Sequence, residues 1–415
     1  MAEKADLQPK SWYFWRRTFS SLKYRDFRLV WLGSCTEHMG EQMETMAIAW
    51  LMMELTNSPY YLGLLAVFKM APLIFSALAG GVMTDRFDRR RLLIGCLVAG
   101  GLISLWLLFL VRAGVIAPWH LLAATGLGAV LKGFNHPARG AIIPNLTPKE
   151  EWMNAIALDT ISVRTAVIIV SPLTGYLIFW FGTAPLLGAR ALGMGIAVLW
   201  LLMARVPPTP GSAKKANAWR NLKGGITYAI GSGVILSLVL MFALREFQVE
   251  TSGVFLPFFA DDILKSGAKG FGYLNMSQSA GALIGLFGVS SLGNFKYKGW
   301  LILLSGIVSG LFLTAFPLSN WLILSFILLL GVNLFGTVFE NVSRTALQTI
   351  VPDEMRGRVM SLREVVRGLF GTWVAYGLGV GGEHLGVVTA AVFFGLFVTV
   401  VICAMALFIP SFRKL

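Results

Sequence analysis

Apolar residues along the chain gather into long runs, and polar residues are concentrated in short connections between them. Twelve runs stand out, at about 29–53, 62–84, 92–112, 119–143, 153–180, 185–205, 234–260, 271–293, 300–316, 321–349, 357–381 and 387–410. Each approaches the ~20 residues that a helix needs to cross the hydrocarbon core of a bilayer. None shows the period-two alternation of a barrel strand. The pattern predicts an all-α polytopic membrane protein with twelve transmembrane helices.

Six runs lie on each side of a proline-rich polar stretch from Val206 to Lys215. The predicted organisation is therefore an interfacial N-terminal segment (1–28), a six-helix bundle (29–205), a linker with an amphipathic segment (206–233), a second six-helix bundle (234–410) and a short tail (411–415). The halves repeat. A shift of 209 residues superposes Leu29 on Leu238, Glu37 on Glu246, Glu41 on Glu250, Leu55 on Leu264 and Gly63 on Gly272. Later, Asn135, Arg139, Pro148, Glu150 and Arg164 face Asn341, Arg344, Pro352, Glu354 and Arg367. The matched positions include charges inside apolar runs, which are rare because a charge facing lipid costs several kcal/mol, so the match is not a coincidence of leucine content. Parallel six-helix repeats belong to transporters whose halves rock about a central site.

Composition sharpens this picture. Of 415 residues, 56% are hydrophobic and 13% charged, with mean hydropathy +0.70; soluble domains carry about 25% charged residues. The formal charge of +14 raises the possibility of a nucleic-acid partner, but its placement argues otherwise. With the N-terminus in the cytoplasm, the segments on that side hold most of the loop Lys and Arg, whereas the opposite connections hold only Arg112, Lys265 and Lys269. By the positive-inside rule both termini are cytoplasmic and the protein is a multi-pass protein of the cytoplasmic membrane, with no nucleic acid as partner. Cys35, Cys96 and Cys403 sit in apolar runs without paired spacing, and His120, His136 and His384 are scattered, so neither disulfide nor metal is expected. No phosphate loop and no nucleophile motif is present, so neither a cofactor nor an enzymatic activity is expected.

The loop after the second run reads from Gly80 to Arg91 as Gly-Gly-Val-Met-Thr-Asp-Arg-Phe-Asp-Arg-Arg-Arg. It resembles motif A of the major facilitator superfamily, and the resemblance extends over essentially the whole chain. The longer string from Asn135 to Leu158 is similar to the fourth-to-fifth-helix region of the subgroup containing enterobactin exporters and macrolide efflux pumps. The resemblance implies the major facilitator fold of two pseudo-symmetric bundles, with Gly81, Asp85, Arg86 and Arg90 latching the halves on the cytoplasmic side. The second half has Gly293 and Asn294 where Asp85 would fall. In the fifth run, Pro172 and Gly175 resemble a degraded antiporter motif, where proline bends a helix and small residues permit close packing.

Charges that interrupt apolar runs are the candidate functional residues. Glu37, Glu41 and Glu44 share one face of the first run by their helical spacing, beside His38. Unpaired at apolar depth, such acids would repel one another and gain protons readily, as a proton-coupled exchanger requires. Glu246 and Glu250 repeat them, beside Arg245. These residues and Lys132 form the expected proton and substrate site, the competing reading being permanent ion pairs between helices. A second polar group comprises Asn135, Arg139, Asp159, Arg164, Glu340, Asn341, Arg344, Arg363, Glu364 and Arg367, read as gate and helix-end pairs. The expected function is export of small amphipathic molecules, multidrug or macrolide-like, in exchange for protons by a monomer. Lys69 and Lys132 keep siderophores and lysophospholipids in contention, and a receptor or channel of the same fold is the rival from another class.

Overall fold

The computed structural model describes residues 19–86, 88–206, 218–292 and 297–408, with side chains described except at 78–86, 141, 144, 218–222 and 408. Among the described residues there is no strand, and twelve helices of 18–33 residues carry the fold. The first half consists of α1 (Arg25–Thr56), α2 (Pro59–Arg86), α3 (Arg89–Arg112), α4 (Pro118–Ile142), α5 (Trp152–Phe181) and α6 (Ala184–Met203). A short surface helix, α7 (Ala218–Ile230), precedes α8 (Gly233–Val254), α9 (Gly267–Ser291), α10 (Lys298–Ala315), α11 (Leu322–Ile350), α12 (Asp353–Leu385) and α13 (Val387–Phe408).

Seven of these helices are apolar enough to cross a membrane on composition alone, or eight if α7 and α8 are taken together. That pair bends by 116°. A 13-residue helix at that angle cannot cross a bilayer with its neighbour and is suited to lie along its surface. The helices that miss the apolar criterion are α1, α4, α9 and α12. They carry charged or polar side chains such as Glu37, Lys132, Gln278 and Arg363, and all four pack against helices of both bundles or line the space between them.

Local signals set the helix ends. Asn57 closes α1 in the left-handed region (φ 45°), its N–H donating to the Met53 carbonyl at 2.8 Å, a conformation that asparagine tolerates better than most residues. Asp88 caps α3 by accepting from the Arg91 N–H at 2.8 Å. The seventh apolar run departs from expectation: it reads continuously to 260, but α8 stops at Val254 and the chain continues as a three-residue helix and a π turn, Phe259–Ile263. Pro257, which has no N–H to donate into a continuing helix, lies at the start of that short helix.

Packing divides the molecule into two ends. At the near end, where α1 starts and α6 ends, the cores are separate: Phe27, Ile142, Leu158 and Leu201 in the first half, Leu238, Ile302, Leu347 and Val359 in the second. At the far end one core spans both halves, with Met52 and Leu62 packed in a cluster with Phe255, Phe271 and Leu378. Two helix crossings hold the halves together, α2 on α12 and α5 on α9. A Cβ on Gly63 would stand 2.7 Å from the Ala375 carbonyl oxygen and 2.7 Å from Gly379 Cα, and one on Gly272 would stand 2.6 Å from the Ser171 carbonyl oxygen and 3.2 Å from Gly175 Cα. Gly63 and Gly272 are repeat partners, so the two crossings are one contact used twice. Only residues without a Cβ let the backbones approach so closely.

Candidate functional site

Between the halves lies a cavity of about 400 Å³, lined by α1, α2, α3, α4 and α6 of the first half and by α8 and α9 of the second. This is within the range of small-molecule sites. Met46, Ile48, Leu62, Leu65, Ile103 and Phe271 supply apolar wall; Glu37, Glu41, Glu44, Lys69, Lys132, Arg190 and Glu250 supply charge. Gln278 and Asn275 add polar groups from α9.

The acids of α1 are not left unpaired, contrary to the expectation from their spacing. Glu37 pairs with Arg139 of α4 and accepts from Asn135 Nδ2 at 3.1 Å. Glu41 pairs with Lys132. Glu44 is held by Arg190 Nε at 3.3 Å and by the Ser104 hydroxyl at 2.5 Å. Each carboxylate on one helix thus meets a cation from another, which offsets a cost of about 3 kcal/mol or more for a lone charge at bilayer depth. His38 lies within this chain of contacts, its Nε2 3.2 Å from Arg139 Nη1 and its Nδ1 3.9 Å from Glu41.

The second half uses a different arrangement. Glu246 accepts from Arg367 Nε of α12 at 2.8 Å, although Arg344, not Arg367, is the repeat partner of Arg139. Glu340 lies 3.7 Å from Arg245 and 3.2 Å from Arg363, and Arg363 also donates to Glu364 at 2.8 Å. Asn341 donates to Thr337 in its own helix. Arg344 and Arg164 are exposed, and Asp159 lies within Coulombic reach of Arg139.

Glu250 differs from the other three acids of the repeat. Its side chain is 8% exposed and lines the cavity, and it has no hydrogen-bond or ion-pair partner among the described residues. The repeat explains why: the position matching Lys132, the partner of Glu41, is Val338. Lys69 of α2 also faces the cavity without such a partner; its repeat position is Gln278, which is neutral and donates to the Ser252 carbonyl at 2.6 Å. Lys69 lies within Coulombic reach of Glu250, Glu41 and Lys132. Among the described residues, one acid of the second half and one base of the first are thus the cavity charges without an ion-pair partner.

The remaining sequence candidates are placed elsewhere. Arg90 donates to the Leu201 and Leu202 carbonyls at 3.2 and 2.7 Å, which ties α3 to the end of α6 within its own half. A cation at a helix C-terminus satisfies carbonyls that the helix leaves open. The side chains of Gly81, Asp85 and Arg86 lie outside the described residues. Pro172 does not interrupt α5, which is continuous through it; with Gly175 it forms the crossing against Gly272. Arg190 was missed among the sequence candidates, although a lone arginine in the apolar run of α6 meets the same criterion that singled out the acids.

The far end is sealed by polar and aromatic contacts across the halves. Ser58 donates to Glu383 at 2.7 Å, the hydroxyls of Tyr176 and Tyr273 are 3.0 Å apart, and the Lys269 ammonium stands 3.7 Å from the centre of the Phe179 ring.

Comparison with known proteins agrees with this architecture. A family model described as "Transmembrane secretion effector" matches residues 16–414. Curated relatives include the enterobactin exporter EntS of Shigella boydii serotype 18, 27% identical over 353 residues covering 84% of this chain and 83% of the relative, and its counterpart from Escherichia coli O81, also 27% identical over the same coverage. Among solved structures, a bacterial homologue of the lysosomal transporter Spinster superposes with a TM-score of 0.70 at 16% identity, covering 94% of this chain and 96% of that one. The nucleoside transporter NupG superposes with a TM-score of 0.73 at 14% identity, covering 92% and 100%. The chain belongs to the transmembrane secretion effector family, within the major facilitator superfamily of multi-pass membrane transporters.

Proposed function

We propose that this protein exports small amphipathic molecules from the cytoplasm across the cytoplasmic membrane, exchanging them for protons, with the central cavity as substrate site and Glu250 as the group that binds proton and substrate in turn. The observation that carries this reading is Glu250 itself: a buried carboxylate facing the cavity with no cation bound to it. Glu37, Glu41 and Glu246 already hold cations, and a permanent partner leaves a carboxylate little reason to exchange protons. Glu250 faces Glu246 on its own helix, Arg367 on α12 and Lys69 on α2, so its charge is sensed by both halves.

The basic near end faces the cytoplasm in this reading. The halves are joined at the far end and have separate cores at the near end, which suits loading of the cavity from the cytoplasm. Arg139, Asp159, Arg164, Glu340, Arg363, Glu364 and Arg367 then form the polar network nearer that side.

Uptake of lipophilic cationic dyes, macrolides and labelled lysolipids into inverted membrane vesicles tests the reading. Protonophore-sensitive uptake that Glu250→Gln abolishes is the expected result. Uptake indifferent to both places the driving force elsewhere. The cationic lining of Lys69, Lys132 and Arg190 favours a second reading, export of an acidic siderophore such as the curated relatives are named for. Transport that nigericin spares and valinomycin with potassium abolishes would support it, since an interior-negative potential expels anions without a pH gradient.

A further inference from the structure

From the two free charges of the cavity we infer that its substrate is a zwitterionic amphiphile, whose cationic group takes Glu250 and whose anionic group takes Lys69. This rests on reading the cavity as the substrate site. The two groups have opposite signs, belong to opposite halves and line one cavity. Among the described residues neither has an ion-pair partner, whereas Glu41 with Lys132 and Glu44 with Arg190 are mutually satisfied. A ligand bearing both charges satisfies both sites at once, and its apolar body meets Leu62, Leu65 and Phe271.

Coupling distinguishes this ligand from a simpler one. An anion on Lys69 alone favours the protonated form of Glu250, so anion and proton would load together and move in the same direction. A cationic group on Glu250 excludes the proton and gives exchange. A cation alone, however, leaves Lys69 as an unpaired charge in an apolar cavity with an added positive neighbour. The zwitterion meets both requirements and bridges α2 and α8, so its binding bears on the geometry between the halves.

Equilibrium binding to the full chain in nanodiscs tests the inference with three probes of one aryl-alkyl body: trimethyl(4-phenylbutyl)ammonium, 5-phenylpentanoate and N,N-dimethyl-N-(4-phenylbutyl)glycine. The zwitterion is expected to bind about ten-fold or more tightly than either singly charged probe, a gain of about 1.4 kcal/mol. Glu250→Gln and Lys69→Gln should each remove that advantage, and the two losses should not add. Thermal unfolding of each variant separates lost recognition from lost fold, and Lys69→Arg should retain the zwitterion preference. Competition by lysophosphatidylethanolamine would identify a lipid headgroup as the source of this chemistry; competition by the betaine alone would identify a soluble molecule. Equal binding of the three probes, binding of none, or a preference untouched by Lys69→Gln overturns the inference. Because binding is read without a gradient, failure of proton exchange leaves this result standing, and the reverse also holds.

Discussion

At the scale of single residues, charge inside an apolar helix was the most informative signal in the sequence, and it was only half legible. The rule that such charges are costly found Glu37, Glu41, Glu246 and Glu250, because it needs nothing but position. It could not say which were paired, since pairing depends on cations brought from α4, α6 and α12 by the fold. The same rule applied to α6 would have singled out Arg190, whose guanidinium donates to the Glu37 carbonyl at 2.6 Å as well as holding Glu44. Arg190→Met is predicted to destabilise the protein by about 3–5 kcal/mol, the usual cost of stranding one member of a buried pair. Adding Glu44→Gln should recover part of that loss and no more, because the Glu37 carbonyl stays unserved. Thermal unfolding of the two variants in nanodiscs checks this; Arg190→Met as stable as the parent would show that the pair is solvated and contributes little.

At the scale of elements, the twelve helices were readable from run length, whereas the ends set by Asn57 and Asp88 were not singled out by the pattern of apolar runs and emerged only from the cap geometry. The break after Val254 was not read, because an apolar run hides a change of helix type that Pro257 imposes. The repeat was more informative than any single run: it paired Gly63 with Gly272 before anything was known of contacts, and the structure gives both the same task. Gly63→Val and Gly272→Val are each predicted to force apart the far-end crossing they occupy, where even a Cβ lies 2.6–2.7 Å from a backbone oxygen. Backbone cannot give way as a side chain can. Gly95→Ala, whose Cβ meets nothing within 4 Å, is the control and should change stability by no more than about 0.5 kcal/mol. Labelling of a cysteine placed at Leu177, which packs against the far-end core next to the seal, should accelerate in both valine variants and not in the control; an unchanged rate would mean that the crossings tolerate separation elsewhere.

At the scale of the whole molecule, the two ends differ in what holds them. One core joins the halves at the far end and two cores serve them at the near end, so separation of the near end breaks no shared core. The orientation proposed from loop charge predicts that impermeant thiol reagents added outside intact cells label a cysteine at Lys265, in the connection after α8, and not one at Lys149. The opposite pattern would reverse the direction of transport assigned to the cavity. The sequence could not foresee how the repeat diverges in function: Lys132 against Val338 and Lys69 against Gln278 are ordinary differences in an alignment of two halves. Only in the folded cavity do they leave one carboxylate and one ammonium free.

That asymmetry is most directly tested by separating binding from coupling in reconstituted vesicles. With a transported substrate at saturating concentration, Glu250→Gln should retain exchange of labelled for unlabelled substrate while losing accumulation driven by a pH gradient. Accumulation that persists in Glu250→Gln would contradict the account and return this glutamate to a structural role.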